Sequence, residues 1–277
     1  MILAPSTINI ADSHVMAIVN ITPDSFYAQS RIESVEGLSH RIERVVADGA
    51  TIVDIGGYSS RPGAREVSVE EEWSRVRMGL EAVANISKGV VVSIDTFRAE
   101  VVRRAVAEFG EVIVNDISAG ELDSDMLSVV AKLGVPYVAM HMRGTPETMQ
   151  QMTDYEGDVV GGVVEYFERR VAEFEAQGIA CERIILDPGF GFAKDVKQNY
   201  ELMRGLPRLR ALGFPLLIGV SRKSMIYRAL GTTPEESLPG SLALAWEALR
   251  EGNAIVRVHD VKETCQVMRL ADIYREV

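Results

Sequence analysis

VVVSIDTFRAEVVRRAVAEFG, residues 90–110, contains the repeating unit of this chain's architecture in one stretch. It opens on three valines, a composition typical of a β-strand that is covered on both faces. A helix is predicted between residues 97 and 109, because apolar side chains recur at helical spacing and Gly110 is placed to end it. These apolar residues are Val101, Val102, Ala105, Val106 and Phe109. The stretch therefore predicts a buried strand followed by an amphipathic helix.

The same unit recurs along the chain and gives eight short apolar runs rich in β-branched residues. The predicted strands are residues 15–21, 51–57, 90–95, 112–117, 136–142, 184–189, 215–221 and 254–260. Regular alternation of strands and helices predicts a parallel sheet, and eight units favour a closed (β/α)8 barrel over an open sheet. Such barrels need about 250 residues, so we expect one α/β domain over residues 1–277. Pro207 is expected to interrupt the helix before the seventh strand, and Pro239 to begin the helix before the eighth.

The composition favours a large folded core and excludes a broad basic surface. Hydrophobic residues make up 47% of the chain and charged residues 25%, which suits a globular protein. The formal net charge is −11, from 29 basic and 40 acidic residues. Because phosphate-rich polymers and anionic bilayers require a basic face, we expect neither nucleic acid nor a membrane as a partner. An anionic ligand must instead be held by a local basic cluster.

Cysteine usage and the N-terminal sequence predict a cytoplasmic protein. Cys181 and Cys265 are far apart, so the spacing indicates neither a disulfide framework nor a CxxC metal motif. The N-terminus lacks a basic stretch followed by an apolar run, and no apolar stretch approaches the roughly 18 residues of a membrane span.

Nearly every predicted strand becomes polar at its C-terminal end. These polar residues are Asn20, Asp54, Asp95, Asn115, Asp116, His141, Asp187, Ser221, Arg222, Lys223, Arg257 and His259. In a (β/α)8 barrel the C-terminal strand ends form the face that carries the active site. One polar strand end is ordinary solvent contact, whereas a dozen on one rim indicate a site.

Asp187 is the strongest single candidate, within the sequence LDPGFGF at residues 186–192. A carboxylate can accept two hydrogen bonds from an amidine-like N–C–N edge, and the phenylalanines after it favour a flat apolar ligand. Asp95 and Asn115 also have structural interpretations that need no ligand. Asp95 could be a favourable carboxylate at the start of a helix, and Asn115 could cap or bridge neighbouring strands. The sequence NITPDSF at residues 20–26 is equally typical of a turn.

Three segments could hold an anion. The sequence SRKS at residues 221–224 follows a strand, although a solvated basic turn is the alternative. Arg257 and His259 are two residues apart in the last strand, so both point to one face. Unpaired charge inside an apolar strand is expensive, which favours a ligand role. The glycine-rich sequence GGYSSRPG at residues 56–63 can bring Arg61 close to a ligand. The chain shows neither zinc-ligand spacing nor a Ser–His–Asp arrangement.

Eight motifs in order resemble the dihydropteroate synthase family, over a match from about Val15 to the C-terminus. They are NITPDSF (20–26), GGYSSRPGA (56–64), SIDT (93–96), VNDI (114–117), MHMRGTP (140–146), LDPGFGF (186–192), GVSRKS (219–224) and RVHD (257–260). The resemblance implies a (β/α)8 barrel that displaces pyrophosphate from 6-hydroxymethyl-7,8-dihydropterin pyrophosphate with p-aminobenzoate. The products are 7,8-dihydropteroate and pyrophosphate.

The resemblance also implies roles for individual residues. The implied pterin site consists of Asp95, Asn115, Met140, Asp187, Gly219, Lys223 and Arg257. Pyrophosphate and Mg²⁺ would be bound by Asn20, Arg257 and His259, with Asn20 as the metal ligand. The implied p-aminobenzoate pocket consists of Ser60, Arg61, Pro62, Phe192 and Ser221. The implied catalytic residues are Asp95, Lys223, Arg257 and His259. The family further implies a homodimer that sulfonamides inhibit.

Two loops depart from the family pattern. The family commonly continues Ser-Phe as Ser-Asp-Gly-Gly, whereas this chain has Tyr27-Ala28-Gln29-Ser30, and Tyr58 and Ser60 replace a usual Glu and Thr. Two other interpretations remain: a corrinoid-type pterin-binding methyltransferase, which would not need the SRKS and RVHD motifs, and a non-catalytic pterin-binding paralogue, favoured only by the altered loop.

Overall fold

The computed structural model describes residues 2–21, 35–59, 65–86 and 88–277. Their strands are β1 (Ile2–Leu3), β2 (His14–Asn20), β3 (Ile52–Gly56), β4 (Val90–Asp95), β5 (Ile113–Asp116), β6 (Tyr137–Met140), β7 (Ile184–Asp187), β8 (Leu217–Ile218) and β9 (Ile255–Val258). Their α-helices are α1 (Val35–Ala47), α2 (Val69–Asn85), α3 (Ala99–Phe109), α4 (Met126–Leu133), α5 (Val159–Ala176), α6 (Val196–Arg204), α7 (Leu206–Arg210), α8 (Ser224–Leu230), α9 (Leu238–Leu249) and α10 (Val261–Glu276). Short 3-10 helices lie at Pro5–Thr7, Met149–Gln151 and Cys181–Arg183. No helix in these ranges combines the length and apolar character needed to cross a bilayer.

Strands β2 to β9 form a parallel barrel. Their order around it is β7-β6-β5-β4-β3-β2-β9-β8. A parallel bridge between Leu186 and Leu216 joins the two edges of this sheet, just before β8 begins. Each strand is followed by one or two helices, which cover the outside of the barrel. The predicted (β/α)8 architecture is confirmed.

Both prolines act on the helices as predicted. α6 and α7 are separate helices, with Pro207 in the first turn of α7, and Pro239 lies in the first turn of α9. Proline is tolerated there because the first turn needs no amide donor. α3 begins at Ala99, two residues later than predicted, because the Ala99 amide donates to the Asp123 carboxylate at 2.8 Å. That carboxylate lies beyond the next strand, so the local pattern does not reveal this helix start.

One buried side chain from each barrel strand forms an apolar layer inside the barrel. The layer consists of Met16, Ile52, Val91, Ile113, Val138, Ile185, Leu217 and Ile255. These residues are at most 1% exposed, so the barrel centre is packed and is not a pore. Any ligand must therefore bind above this layer or below it.

The N-terminal segment covers the bottom of the barrel. β1 pairs in parallel with the start of β4, an addition that the sequence pattern did not predict. Leu3, Ile8 and Ile10 pack against the apolar layer from below. His14 holds the segment, since its Nε2 lies 2.7 Å from the Asn9 carbonyl oxygen. The open end is therefore the one formed by the C-terminal ends of the strands.

Candidate active site

The strand period of two explains which side chains line the open end of the barrel. Side chains two residues beyond the apolar layer point to the same interior face. In strand order they are Ile18, Asp54, Ser93, Asn115, Met140, Asp187, Gly219 and Arg257. Two residues further along, either at the strand ends or just beyond them, the positions are Asn20, Gly56, Asp95, Ile117, Met142, Gly189, Ser221 and His259. These two layers contain nearly all of the site residues that the sequence predicted in strands.

Arg257 lies at the centre of the site and joins two carboxylates. Its Nε donates to Asp54 Oδ2 at 2.6 Å, and its Nη2 donates to Asp95 Oδ2 at 2.7 Å. Burial opposes the charge of Arg257, but the two carboxylates outweigh it and raise its pKa. Burial also raises the pKa of Asp95 to about 7, against the lowering effect of Arg257.

Asp54 is a buried carboxylate whose role the sequence did not reveal. It is fully buried and accepts from Arg257 and from Asn115 Nδ2, the latter at 3.2 Å. Its other oxygen, Oδ1, has no hydrogen-bond partner within the described ranges. Asp54 thus fixes two predicted ligand-binding side chains from below. The sequence showed it only as one polar strand end, since its partner Arg257 lies 203 residues away.

Asp187 and Lys223 form the opposite part of the site. Asp187 Oδ1 accepts from the Gly189 amide at 2.8 Å, and burial raises the Asp187 pKa although Lys223 lowers it. Lys223 Nζ donates to the Phe190 carbonyl oxygen at 2.5 Å, and burial lowers the Lys223 pKa to about 8. A Cβ atom at Gly219 would meet only Lys223 Nζ, at 3.8 Å, so the glycine leaves space beside this lysine.

An apolar wall lies beside these charged groups. Its buried residues are Ile117, Met140, Met142, Met149 and Ala193, with Phe97 and Phe192 packed against them. The ammonium group of Lys223 lies 4.9 Å from the centre of the Phe192 ring. Charged groups beside a thioether and aromatic wall suit a flat, polar-edged ligand. Of the two phenylalanines that favoured such a ligand, Phe192 joins this wall, whereas Phe190 is fully buried in the main core.

In the basic turn after β8, Lys223 faces the site, whereas Arg222 is paired with a carboxylate. Arg222 forms a two-bond ion pair with Asp260, at 2.9 Å from Nε and 2.6 Å from Nη2. Arg222 is thus neutralised within the protein, so the anion-binding role expected for it stays a prediction. Ser221 is buried and its Oγ lies 3.1 Å from Nδ1 of the exposed His259, so these two predicted residues meet.

Asn20 offers one oxygen ligand at the end of β2. Its Oδ1 would lie 2.8 Å from a Cβ at the neighbouring Gly56, so this glycine leaves room for the amide. Within the described ranges no group of three His, Cys, Asp or Glu residues could hold a metal. Mg²⁺ commonly binds through few protein ligands together with substrate phosphates and waters, so a single amide oxygen fits a metal carried by pyrophosphate.

Part of the predicted p-aminobenzoate pocket lies outside the described residues. The pocket residues outside the described ranges are Ser60, Arg61 and Pro62. The altered loop Tyr27-Ala28-Gln29-Ser30 also lies outside them. The substituted Tyr58 is described, and its ring packs edge-on against Phe97 with 5.1 Å between centroids.

Gly189 gives a stability prediction. Its φ is +69°, and a Cβ there would lie 2.0 Å from the His141 carbonyl oxygen. We expect Gly189→Ala to destabilise the fold much more than Gly178→Ala, a matched control with φ of +88° and open space around it. The left-handed backbone alone costs about 1–2 kcal/mol in either variant. Urea unfolding of both variants measures the difference, and equal losses would contradict the steric argument.

The chain is similar to known proteins over nearly its whole length. The family model "Pterin binding enzyme" matches residues 16–259. Dihydropteroate synthase of Escherichia coli K12 is 43% identical over 267 residues, covering 96% of this chain and 93% of that protein.

Two solved structures also match. The Yersinia pestis dihydropteroate synthase, with a sulfonamide drug complex, has a TM-score of 0.90 and 37% identity, covering 98% of this chain and 97% of that one. The Xanthomonas albilineans dihydropteroate synthase in complex with 7,8-dihydropteroate has a TM-score of 0.85 and 37% identity, covering 98% and 96%. With this fold and this polar site, the chain belongs to the dihydropteroate synthase family of pterin-binding enzymes.

Proposed function

We propose that the chain condenses 6-hydroxymethyl-7,8-dihydropterin pyrophosphate with p-aminobenzoate, giving 7,8-dihydropteroate and pyrophosphate, and that its 277 residues act as one catalytic domain. The observation that carries this proposal is the Arg257 bridge between Asp54 and Asp95, opposite Asp187 and Lys223. It places carboxylates and cations around one space above the apolar layer, as a pterin with a charged leaving group requires. The bound 7,8-dihydropteroate of the X. albilineans relative agrees with this ligand class.

The pterin ring is assigned to the inner part of the site. Asp187 would accept two hydrogen bonds from the amino-pyrimidinone edge, since only a carboxylate offers two acceptors in that plane. Lys223 and Asn115 would bind the polar atoms on the other edges. The remaining pterin residues in this proposal are Asp95, Met140, Gly219 and Arg257.

Pyrophosphate is assigned to the end of the site at Asn20, Arg257 and His259. In a chain of net charge −11, these are local groups that can receive a multiply charged anion. We propose Mg²⁺ as the cofactor, held by Asn20 together with pyrophosphate oxygens. When bound, the ion would neutralise the negative charge that builds up on the leaving group.

The chemical contribution of the chain is electrostatic. Departure of pyrophosphate leaves positive charge on the pterin methylene, which the Asp95 carboxylate stabilises. Arg257 and His259 stabilise the opposite charge on the departing oxygen, and Lys223 holds the ring in place. The arylamine nitrogen of p-aminobenzoate then forms the C–N bond from the pocket assigned to Phe192, Ser221 and the segment Ser60-Arg61-Pro62, and it gives up one proton to the released pyrophosphate.

A single assay tests the reaction. We expect the purified chain with Mg²⁺ to release pyrophosphate only when both substrates are present. A methyltransferase or a non-catalytic paralogue would release none, which would overturn the proposal.

Sulfonamides should compete with p-aminobenzoate for the same pocket. The Y. pestis relative binds a sulfonamide drug, and Phe192 and Ser221 offer this chain an aromatic face and a hydroxyl for the same aryl group. In initial-rate measurements we expect the apparent KM for p-aminobenzoate to rise linearly with sulfonamide concentration at constant kcat. Inhibition that p-aminobenzoate does not relieve would reject the shared pocket.

We also propose a homodimer formed through α8, α9 and α10. Leu230, Leu270, Ile273 and Tyr274 are all more than half exposed, and Tyr274 packs against Trp246 of α9 with 5.4 Å between ring centroids. Exposed apolar side chains clustered on adjacent helices are typical of an interface. In sedimentation velocity we expect Ile273→Lys to be monomeric and the parent dimeric. Leu122→Lys, at an exposed leucine elsewhere, is the control and should stay dimeric.

For localisation we propose the cytoplasm. Cys181 and Cys265 are both free thiols, as a reducing compartment maintains them.

A further inference from the structure

Lys194 is a buried cation in the loop between β7 and α6 that the reaction does not use. Only 3% of the residue is exposed. Its Nζ lies 2.9 Å from His141 Nδ1, 3.0 Å from the Gly189 carbonyl oxygen and 2.9 Å from the Phe192 carbonyl oxygen. None of these three partners is a carboxylate. Burying a lysine without a carboxylate partner has a large desolvation cost, so its position requires an explanation.

The three partners satisfy Lys194 in either protonation state. As an ammonium it donates three hydrogen bonds, with Nδ1 of neutral His141 as one acceptor. As an amine it donates to the two carbonyl oxygens and accepts from an Nδ1–H of the other His141 tautomer. Burial lowers the pKa of Lys194 and of His141, because it removes water from the charged form of each group. The geometry is thus retained whichever form is present.

The two carbonyl groups bound by Lys194 belong to opposite ends of one tight loop. At one end, Gly189 donates its amide to Asp187 at 2.8 Å, which ties it to β7. At the other end, Phe192 reaches back with its amide to the Gly189 carbonyl oxygen at 3.0 Å. Lys194 closes this loop from inside the protein. The neighbours of Phe192 are held separately, since the Gly191 amide donates to Asn199 at 2.7 Å and the Ala193 carbonyl oxygen accepts from Tyr155 at 2.9 Å. Lys194 is the group that binds the Phe192 carbonyl itself, at 2.9 Å.

We propose that Lys194, oriented by His141, is a positioning residue that fixes Phe192 in the wall of the arylamine pocket. The inference rests on the proposed function, which assigns Phe192 to p-aminobenzoate and Asp187 to the pterin. Because Gly189 keeps its amide bond to Asp187 when the lysine is lost, the loss of Lys194 should affect the arylamine more than the pterin.

The test compares Lys194→Met with Lys197→Met. Methionine keeps the length of the side chain and removes the hydrogen bonds, while Lys197 is an exposed lysine of the same segment, paired with Glu201 at 3.3 Å. We expect Lys194→Met to raise the KM for p-aminobenzoate at least ten-fold. We expect kcat and the calorimetric Kd for a dihydropterin to change less than three-fold, and Lys197→Met to match the parent throughout.

Lys194→Gln provides the conservative rescue. Its amide group can donate to both carbonyl oxygens, so it should recover most of the affinity for p-aminobenzoate that methionine loses, and it keeps the test available if Lys194→Met does not fold. An unchanged KM, equal losses for both ligands, or a glutamine variant that binds p-aminobenzoate at least ten-fold worse than the parent would each overturn the positioning role.

Binding of a sulfonamide to the protein with dihydropterin and pyrophosphate separates this inference from the proposed reaction. Calorimetry measures that binding without turnover. If the parent releases no pyrophosphate, the proposed reaction fails, but a selective loss of sulfonamide affinity in Lys194→Met would still support the positioning role. An unchanged sulfonamide affinity would overturn that role whether or not the parent turns over.

Discussion

Arg257→Lys should lower turnover by at least ten-fold while keeping the fold and the formal charge. The arginine donates from two nitrogens to two different carboxylates, Asp54 and Asp95. A lysine ammonium is a single point and cannot reproduce both bonds while also gripping a phosphate group and lying flat against a ring. One of the two buried carboxylates would then lose its bond to the cation, which raises the pKa of that carboxyl. The site would therefore carry less negative charge to stabilise the cationic pterin.

The measurement is steady-state kinetics on Arg257→Lys beside Arg250→Lys. Arg250 pairs with Glu247 on the protein surface, so this control carries the same chemical change far from the site. We expect the control to match the parent. Parental kcat in Arg257→Lys would show that the guanidinium geometry is not needed for the reaction.

Asp187→Asn should weaken pterin binding by ten- to hundred-fold. The asparagine can still accept from the Gly189 amide through its oxygen, so the loop is expected to keep its shape. Its amide nitrogen, however, would point a donor at the donors of the pterin edge. Losing one hydrogen bond to a buried charged group costs about 1.5–3 kcal/mol, which corresponds to this range of affinity.

Calorimetry with a dihydropterin and, separately, with p-aminobenzoate tests the Asp187 prediction. The pterin affinity should fall much more than the p-aminobenzoate affinity. Asp125→Asn is a suitable control, because Asp125 pairs with Arg103 at the exposed end of α4. Unchanged pterin affinity in a folded Asp187→Asn variant would make Asp187 a structural cap.

The sequence predicted the barrel because its signals are local. Every barrel strand lies within a predicted run, apart from an earlier start of β2 by one residue, at His14. Several predicted strands are longer than the observed ones, because the backbone hydrogen bonds between strands end before the apolar run does. The seventh run was placed at 215–221, yet β8 is only Leu217–Ile218, preceded by an isolated bridge at Leu216 and by Pro215, which has no amide to donate. β1 was missed because two residues carry no periodicity.

The predicted site residues that the structure describes converge, but their partners could not be predicted. Asn115 meets Asp54 from two strands away and Ser221 meets His259 from the neighbouring strand, although the members of each pair are 61 and 38 residues apart in the sequence. Lys194 was missed because nothing around it in the sequence marks it as buried. Its three partners come from two different loops, and only the fold shows that they surround one nitrogen atom.

The spacing of the interior layers limits how the length of this chain can vary. Ile255 belongs to the apolar layer, and Arg257 lies two residues after it in the same strand. The third layer begins two residues after Arg257. Deleting one residue between Ile255 and Arg257 would turn the guanidinium outward into the helices and a valine inward toward the pterin. An insertion in a loop between a helix and the next strand has no such effect. We therefore expect insertions and deletions among relatives to fall in those loops, while the two-residue spacing between layers stays fixed within the strands.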